Sequence, residues 1–321
     1  MTAPPRRSGP ITILDVLLVF MVLVWGANYS LMKFAFQQVP PMAFNALRFT
    51  MASVVFVAGI VLTGRRARRA SQPFDRTFYT EDRVTRRDWF DLVWLGVVGH
   101  CGYQLCWAGA LTLTSASNGA LIIGATPIAV TTASAWLGHE RIRAPHWCAI
   151  AVSLAGIYLV VGYGAPSPGA SAKGDLLMGL GVVCWAIYTL GCARLMARHS
   201  PLYVTGMTVA IGTALYVLLA IPSLMHVQWR LVNPVLWGLL VFAAVFPVNV
   251  SYIVWYAAVQ RLGAARTSIY SNVVPLVAMG IAAIWLGEPL TMKKLVGAAA
   301  VLAGVLLTRW AQSPAAVPIE E

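Results

Sequence analysis

Charge is what this chain lacks. Only 11% of its 321 residues are Asp, Glu, Lys or Arg, where a soluble domain carries roughly 25%. Acidic residues are the scarcest, eleven in all, and every one falls at the end of an apolar run, in a connection or in a tail. No triad, no HExxH and no metal-ligand cluster can be assembled from them, which argues against an enzyme. No glycine-rich phosphate loop of the form Gly-x-x-x-x-Gly-Lys-Ser/Thr is present, so ATP is not the direct fuel and no cofactor is called for. The five cysteines, Cys101, Cys106, Cys148, Cys184 and Cys192, all sit inside apolar runs without clustered spacing, which excludes a disulfide framework or a metal knuckle.

What fills the chain instead is apolar: 59% of residues are hydrophobic and the mean hydropathy is +0.73. A soluble core cannot hide that much apolar surface, so the missing solvent is lipid. Crossing the hydrocarbon takes about 20 residues whose backbone bonds to itself. Ten runs qualify, at about 12–36, 42–62, 89–112, 115–137, 144–163, 174–197, 201–224, 234–260, 264–286 and 291–310. The fold class expected is an all-α integral membrane protein of ten transmembrane helices. The first run follows Arg6 and Arg7 as a signal peptide would, but it is long and shows no small-residue cleavage site, so it is read as a retained helix.

The net charge of +12 would suggest nucleic acid in a soluble protein. Here the basic residues lie mainly between apolar runs, where positive charge sets orientation. With the N-terminus cytoplasmic, the inner side holds seventeen of them: Arg6 and Arg7, the eight arginines of 65–87, then Arg141, Arg143, Arg194, Arg198, Arg261, Arg266 and Arg309. The outer side holds four, Lys173, Arg230, Lys293 and Lys294, and Lys33 and Arg48 fall within helices. This bias predicts a multi-pass protein of the cell (inner) membrane with both termini cytoplasmic.

The chain also repeats itself. Asp15, Trp25 and Pro41 recur 160 positions later as Asp175, Trp185 and Pro201. Beyond a basic loop at 63–88 the offset becomes 148, pairing Trp107 with Trp255, Pro127 with Pro275, Glu140 with Glu288 and Gly156 with Gly304. The division expected is a tail (1–11), a first five-helix repeat (12–163), a linker (164–173), a second repeat (174–310) and a tail (311–321). Five helices is an odd number, so the second repeat enters the membrane upside down. Inverted repeats recur in secondary transporters, with the substrate near the midplane between the halves.

The order and spacing of several short motifs resemble the drug/metabolite transporter superfamily, in its ten-helix form with two EamA-like repeats. They are Trp25-Gly26-Ala27-Asn28, Ala46-Leu47-Arg48-Phe49, Leu137-Gly138-His139-Glu140-Arg141-Ile142, Leu286-Gly287-Glu288-Pro289-Leu290-Thr291, Leu154-Ala155-Gly156 and Leu302-Ala303-Gly304. The resemblance implies a pore-free carrier that alternates between inward- and outward-open states and exports amino acids or other metabolites. It implies a cavity lined by helices 1, 3, 4, 6, 8 and 9. Small multidrug members use a glutamate embedded in their first helix. This chain has only Asp15 at the start of that run, so export of cationic drugs by that route is not implied.

Polar groups in lipid are costly and face the protein interior or a wet cavity. In the third run His100, Tyr103, Gln104 and Trp107 fall at i, i+3, i+4 and i+7, one face of a helix. They read either as a wall for a polar or aromatic solute or as interhelical hydrogen bonding and packing. Trp25 and Asn28 in the first run, Trp185 and Tyr188 in the sixth, and Asn249 and Tyr252 in the eighth offer the matching walls. Pro247 lies just before Asn249 and can loosen a turn, freeing carbonyls toward a cavity. Pro127 and Pro275 are hinge candidates, whether static or moving. Lys33 and Arg48 could draw a carboxylate or phosphate, or simply snorkel to the outer interface. The sequence thus predicts a secondary carrier for a small neutral or zwitterionic metabolite such as an amino acid. Its partners are a small-molecule solute and the lipid bilayer, with no nucleic acid and with a homodimer left open. The alternatives are an integral-membrane enzyme acting on a lipid or prenyl substrate, and a carrier of organic anions using Lys33 and Arg48.

Overall fold

A computed structural model describes residues 13–69, 75–136, 144–161, 171–262, 270 and 273–311. Counted with their internal interruptions joined, these form ten helices: α1 (Ile13–Ala35), α2 (Pro41–Ala67), α3 (86–113), α4 (116–136), α5 (Ala144–Val161), α6 (Ala172–Met196), α7 (Pro201–Met225), α8 (234–262), α9 (Val274–Leu286) and α10 (Met292–Ala311). Five of them, α1, α2, α6, α7 and α8, are long and apolar enough to cross a membrane by length and composition. Large apolar side chains point outward where lipid would be, among them Leu176 (77% exposed) and Ile284 (90%). The chain is a multi-pass membrane protein.

Helix ends follow local chemistry. Thr85 and Asp88 form a reciprocal capping box that starts α3 at Arg86, three residues before the apolar run begins, because the box satisfies backbone donors outside the hydrocarbon. Ser115, Ser171, Ser200 and Asn233 cap α4, α6, α7 and α8 through their side-chain oxygens. Pro201 and Pro234 then occupy first turns, where no backbone donor is needed. Gly287, at φ +65°, ends α9 in the left-handed conformation. α2 runs on to Ala67, past the apolar run, with Arg65 and Arg66 in its last turn, where cations complement the helix dipole.

Exchanging the two halves maps the main helix contacts onto one another. α1 packs on α8 and α9, and α6 packs on α3 and α4; α3 meets α7 as α8 meets α2. The contacts α2–α7 and α5–α10 map onto themselves. In the last of these a Cβ on Gly156 would come within 2.7 Å of the Gly297 carbonyl and 2.9 Å of the Ala300 Cβ, so small residues set how closely these helices approach.

The correspondence extends to irregularities. α3 is α-helical over Arg86–Gly96, π-helical over Val97–Gly102 and α-helical again over Tyr103–Leu113. α8 does the same over Pro234–Ala244, Val245–Val250 and Ser251–Leu262. α4 is interrupted at Ala125 and resumes at Thr126, and α9 is described from Val274. Pro127 is thus the second residue of the segment that starts at Thr126, and Pro275 the second of α9 as described. Neither stands in the middle of a described helical segment, where a proline would break an established bond. The side chain of Pro127 and the segment carrying Glu140 lie outside the described residues.

Candidate functional site at the centre of the bundle

The two π-turns place most of the candidate residues together, but not as one stripe. A π-turn wraps more residues than an α-turn, so side chains before and after it no longer share a face. His100, inside the turn, is 1% exposed and lies edge-on to Tyr188 with ring centroids 4.8 Å apart. Its Cβ crowds α7, where a Cβ on Gly212 would sit 2.6 Å from it. Tyr103 turns to α6 and meets Trp185 at 5.0 Å. Gln104 turns to α2 and accepts from Asn45 and Arg48. Trp107 packs on Tyr29 of α1 at 5.6 Å. The expected single wall on α3 is therefore divided among α6, α7, α2 and α1. No hydrogen bond joins His100 to Tyr103; both ring nitrogens of His100 are buried without a protein partner.

From the other half, Tyr252 stands at the meeting point of the rings. It lies 6.3 Å from Trp25, 6.4 Å from His100 and 6.1 Å from Trp185. Trp185 also contacts Tyr188 at 5.1 Å, whose hydroxyl shares a 3.2 Å hydrogen bond with Thr208. Trp25 reaches Trp255 at 5.8 Å and donates its indole N–H to the Pro247 carbonyl at 2.9 Å. Asn249 spends its amide on the Ala52 carbonyl of α2 at 3.0 Å, an interhelical tie, and its Oδ1 and that of Asn28 stay buried without a protein partner.

Arg48 belongs to this centre, not to an interface. Snorkelling would carry its guanidinium to water, yet the residue is 2% exposed. It is held over the Phe49 ring at 4.7 Å and the Trp107 ring at 5.6 Å. Its position roughly 10 Å into α2 at 1.5 Å per residue leaves too little reach to the membrane surface. An arginine in the seventh position of a long apolar run was the signal available in the sequence; Asn45, one turn earlier, gave none by itself. Lys33 goes elsewhere, donating to the Thr114 carbonyl at the end of α3.

That end of the bundle is tied by buried polar contacts. Thr114 donates to the Asp175 carboxylate. Glu288, after α9, accepts from the Ala116 amide at 2.7 Å, the Ser117 amide at 3.2 Å and the Ser117 hydroxyl at 2.5 Å, so it caps α4 across the halves. Burial alone would push the Glu288 carboxyl up, but the Ser117 hydroxyl, the Ala116 amide, Lys294 at 3.6 Å and the Ser117 amide together hold it below its usual range. At the other end Asp88 binds Arg198 at 2.5 Å and lies 3.3 Å from His199, and Asp15 accepts from Tyr270 at 2.7 Å. All five cysteines are free, and among the described residues no group of His, Cys, Asp or Glu could hold a metal.

A duplicated five-helix unit, lipid-facing outside and lined inside with aromatic rings and unpaired polar groups, defines a membrane carrier. The chain matches the EamA-like transporter family over residues 12–162 and 172–310 and belongs to it; it is not an enzyme family. Three relatives illustrate the range. The uncharacterized transporter YyaM of Bacillus subtilis is 27% identical over 91% of this chain and 92% of its own. A probable terminal-alkyne amino-acid exporter of Streptantibioticus cattleyicolor is 24% identical over 90% and 91%. The aromatic amino acid exporter YddG of Ancylobacter novellus is 25% identical over 79% and 82%.

Proposed function

We propose that this transporter is a secondary carrier that exports a small metabolite of the amino-acid type by alternating access. The observation carrying this reading is the ring-lined centre between the halves, where Trp25, His100, Trp185 and Tyr252 converge. Aromatic faces accept an apolar or aromatic body, and the unpartnered atoms of His100, Asn28 and Asn249 offer hydrogen bonds to a polar one. Two relatives named as amino-acid exporters support the same substrate class.

In this reading the halves are inverted repeats, ten helices span the membrane, both termini are cytoplasmic and rocking of one half against the other exposes the centre to each side in turn. The Lys33, Asp175 and Glu288 contacts then close the outer side, and Asp88 with Arg198 lies on the inner side. Reconstitution into liposomes with labelled amino acids tests the reading. Saturable flux of a neutral amino acid down its gradient, absent from protein-free liposomes, is expected. Failure to move any amino acid or organic acid in the panel overturns it.

A further inference from the structure

Arg48 makes no ion pair among the described residues. Its Nη2 donates to the Gln104 Oε1 at 3.2 Å, its Nη1 meets the Met32 Sδ at 3.3 Å and its Nε is buried without a partner. The same Gln104 oxygen accepts from the Asn45 Nδ2 at 3.4 Å. A full positive charge and a side-chain amide thus converge on one neutral oxygen. Even with the two ring faces, that is poor compensation for a guanidinium taken out of water, since buried charges are ordinarily paired with an opposite charge. A carboxylate in the same place would neutralise the charge, accept from the guanidinium fork through two oxygens and keep the Asn45 contact.

We infer that Arg48, Asn45 and Gln104 form the seat for the carboxylate of the transported solute, with the Gln104 amide oxygen standing in for it in this arrangement of the helices. The inference rests on the carrier reading above and narrows its substrate to small monocarboxylates. Charge fixes the number: Arg48 is alone, and Lys33 is committed to the Thr114 carbonyl, so a dianionic phosphate would lack a second cation. Phe49 and Trp107 clamp the guanidinium between faces and fix its fork. The solute's body then extends toward Tyr103 and Trp185. Its two donors, Asn45 and Arg48, lie on α2, a helix outside the cavity lining that the superfamily resemblance implies.

Purified protein in liposomes is tested with phenylalanine, 3-phenylpropionate and phenylalaninamide, which keep the ring and vary the charged groups. Wild type is expected to move the two carboxylates and to discriminate against the amide. Arg48→Met, which keeps length and removes charge, is expected to lose phenylalanine flux by roughly 10- to 100-fold, the worth of a charge-assisted hydrogen bond. Its thermal midpoint is expected to be no lower than wild type, because an uncompensated buried cation has been removed. Arg48→Lys serves if Arg48→Met fails to fold: it keeps charge without the fork, so flux falls while the preference for acid over amide stays. Equal wild-type flux of phenylalanine and phenylalaninamide overturns the carboxylate seat and leaves the carrier intact. An unchanged acid-to-amide ratio in a folded Arg48→Met overturns it as well. A wild type that moves no member of this panel or of the amino-acid panel overturns both readings.

Discussion

The indole of Trp25 donates to the carbonyl of Pro247 at 2.9 Å, across 222 positions of sequence. Its counterpart in the other half makes no such bond. Trp185 packs at a tilt on Tyr103 and Tyr188, and Tyr188 covers Gly99, the residue 148 positions before Pro247, so closely that a Cβ there would lie 2.3 Å from its ring. Equivalent positions thus occupy unequal arrangements: one side is hydrogen-bonded, the other filled by a ring. In the alternating-access reading proposed above, such inequality is what lets one side close while the other opens.

Replacing Trp25 with Phe keeps a ring and removes the donor. The expected cost is about 1 kcal/mol, the ordinary worth of a neutral hydrogen bond, read as a lower thermal midpoint in detergent. Transport should change with it, because the bond holds α1 to the irregular turn of α8. An unchanged midpoint would mean that water replaces the indole at no cost.

His100→Phe separates the packing of that ring from its polarity. Both ring nitrogens lack protein partners and the ring packs on Tyr188, so phenylalanine should keep the fold at nearly wild-type stability. Transport should fall sharply if the nitrogens serve the solute, with His100→Gln retaining more. His100→Ala is expected to cost about 2–4 kcal/mol through the space it leaves. A folded His100→Phe that transports like wild type would remove His100 from the site.

Asp88 predicts an acid limit. Burial raises its carboxyl, but the Thr85 amide and hydroxyl, His199 and Arg198 outweigh this and pull it down to about 2. An unfolded aspartate titrates near about 3.9. The folded value is depressed, so the stabilisation is complete above about pH 4 and is lost as pH falls toward about 2, on the order of 2 kcal/mol in all. Thermal midpoints measured between about pH 5 and about pH 2.5 should fall, and Asp88→Asn should flatten the curve while lowering its upper plateau. A wild-type curve parallel to that of Asp88→Asn would count against Asp88 as the group responsible.

Helix positions were legible because apolar length and end-capping residues are local properties: Ser171, Ser200 and Asn233 each mark a start within a residue or two. The repeat was legible because tryptophan, proline and acids are rare enough here for offsets to register. The site was legible by composition and not by geometry. His100, Tyr103, Gln104 and Trp107 were read on an α-helical face, and the π-turn that holds His100 leaves no mark beyond glycines at 96, 99 and 102. Arg48 was legible only by its type, either as a group that draws a carboxylate or phosphate or as a side chain that reaches the outer interface. Its burial depends on how α2 leans against α3 and α7, which no window of sequence contains.

The matched π-turns put the same irregularity at the same distance along both halves. α3 begins at Arg86 and its turn spans Val97–Gly102; α8 begins at Pro234 and its turn spans Val245–Val250. A π-turn winds more loosely than the α-helix around it, so each half brings to the centre a stretch of backbone that need not bond as its counterpart does. Pro247 and Gly99 use that latitude differently: the carbonyl of one takes the Trp25 indole, and the space beside the other is filled by the Tyr188 ring.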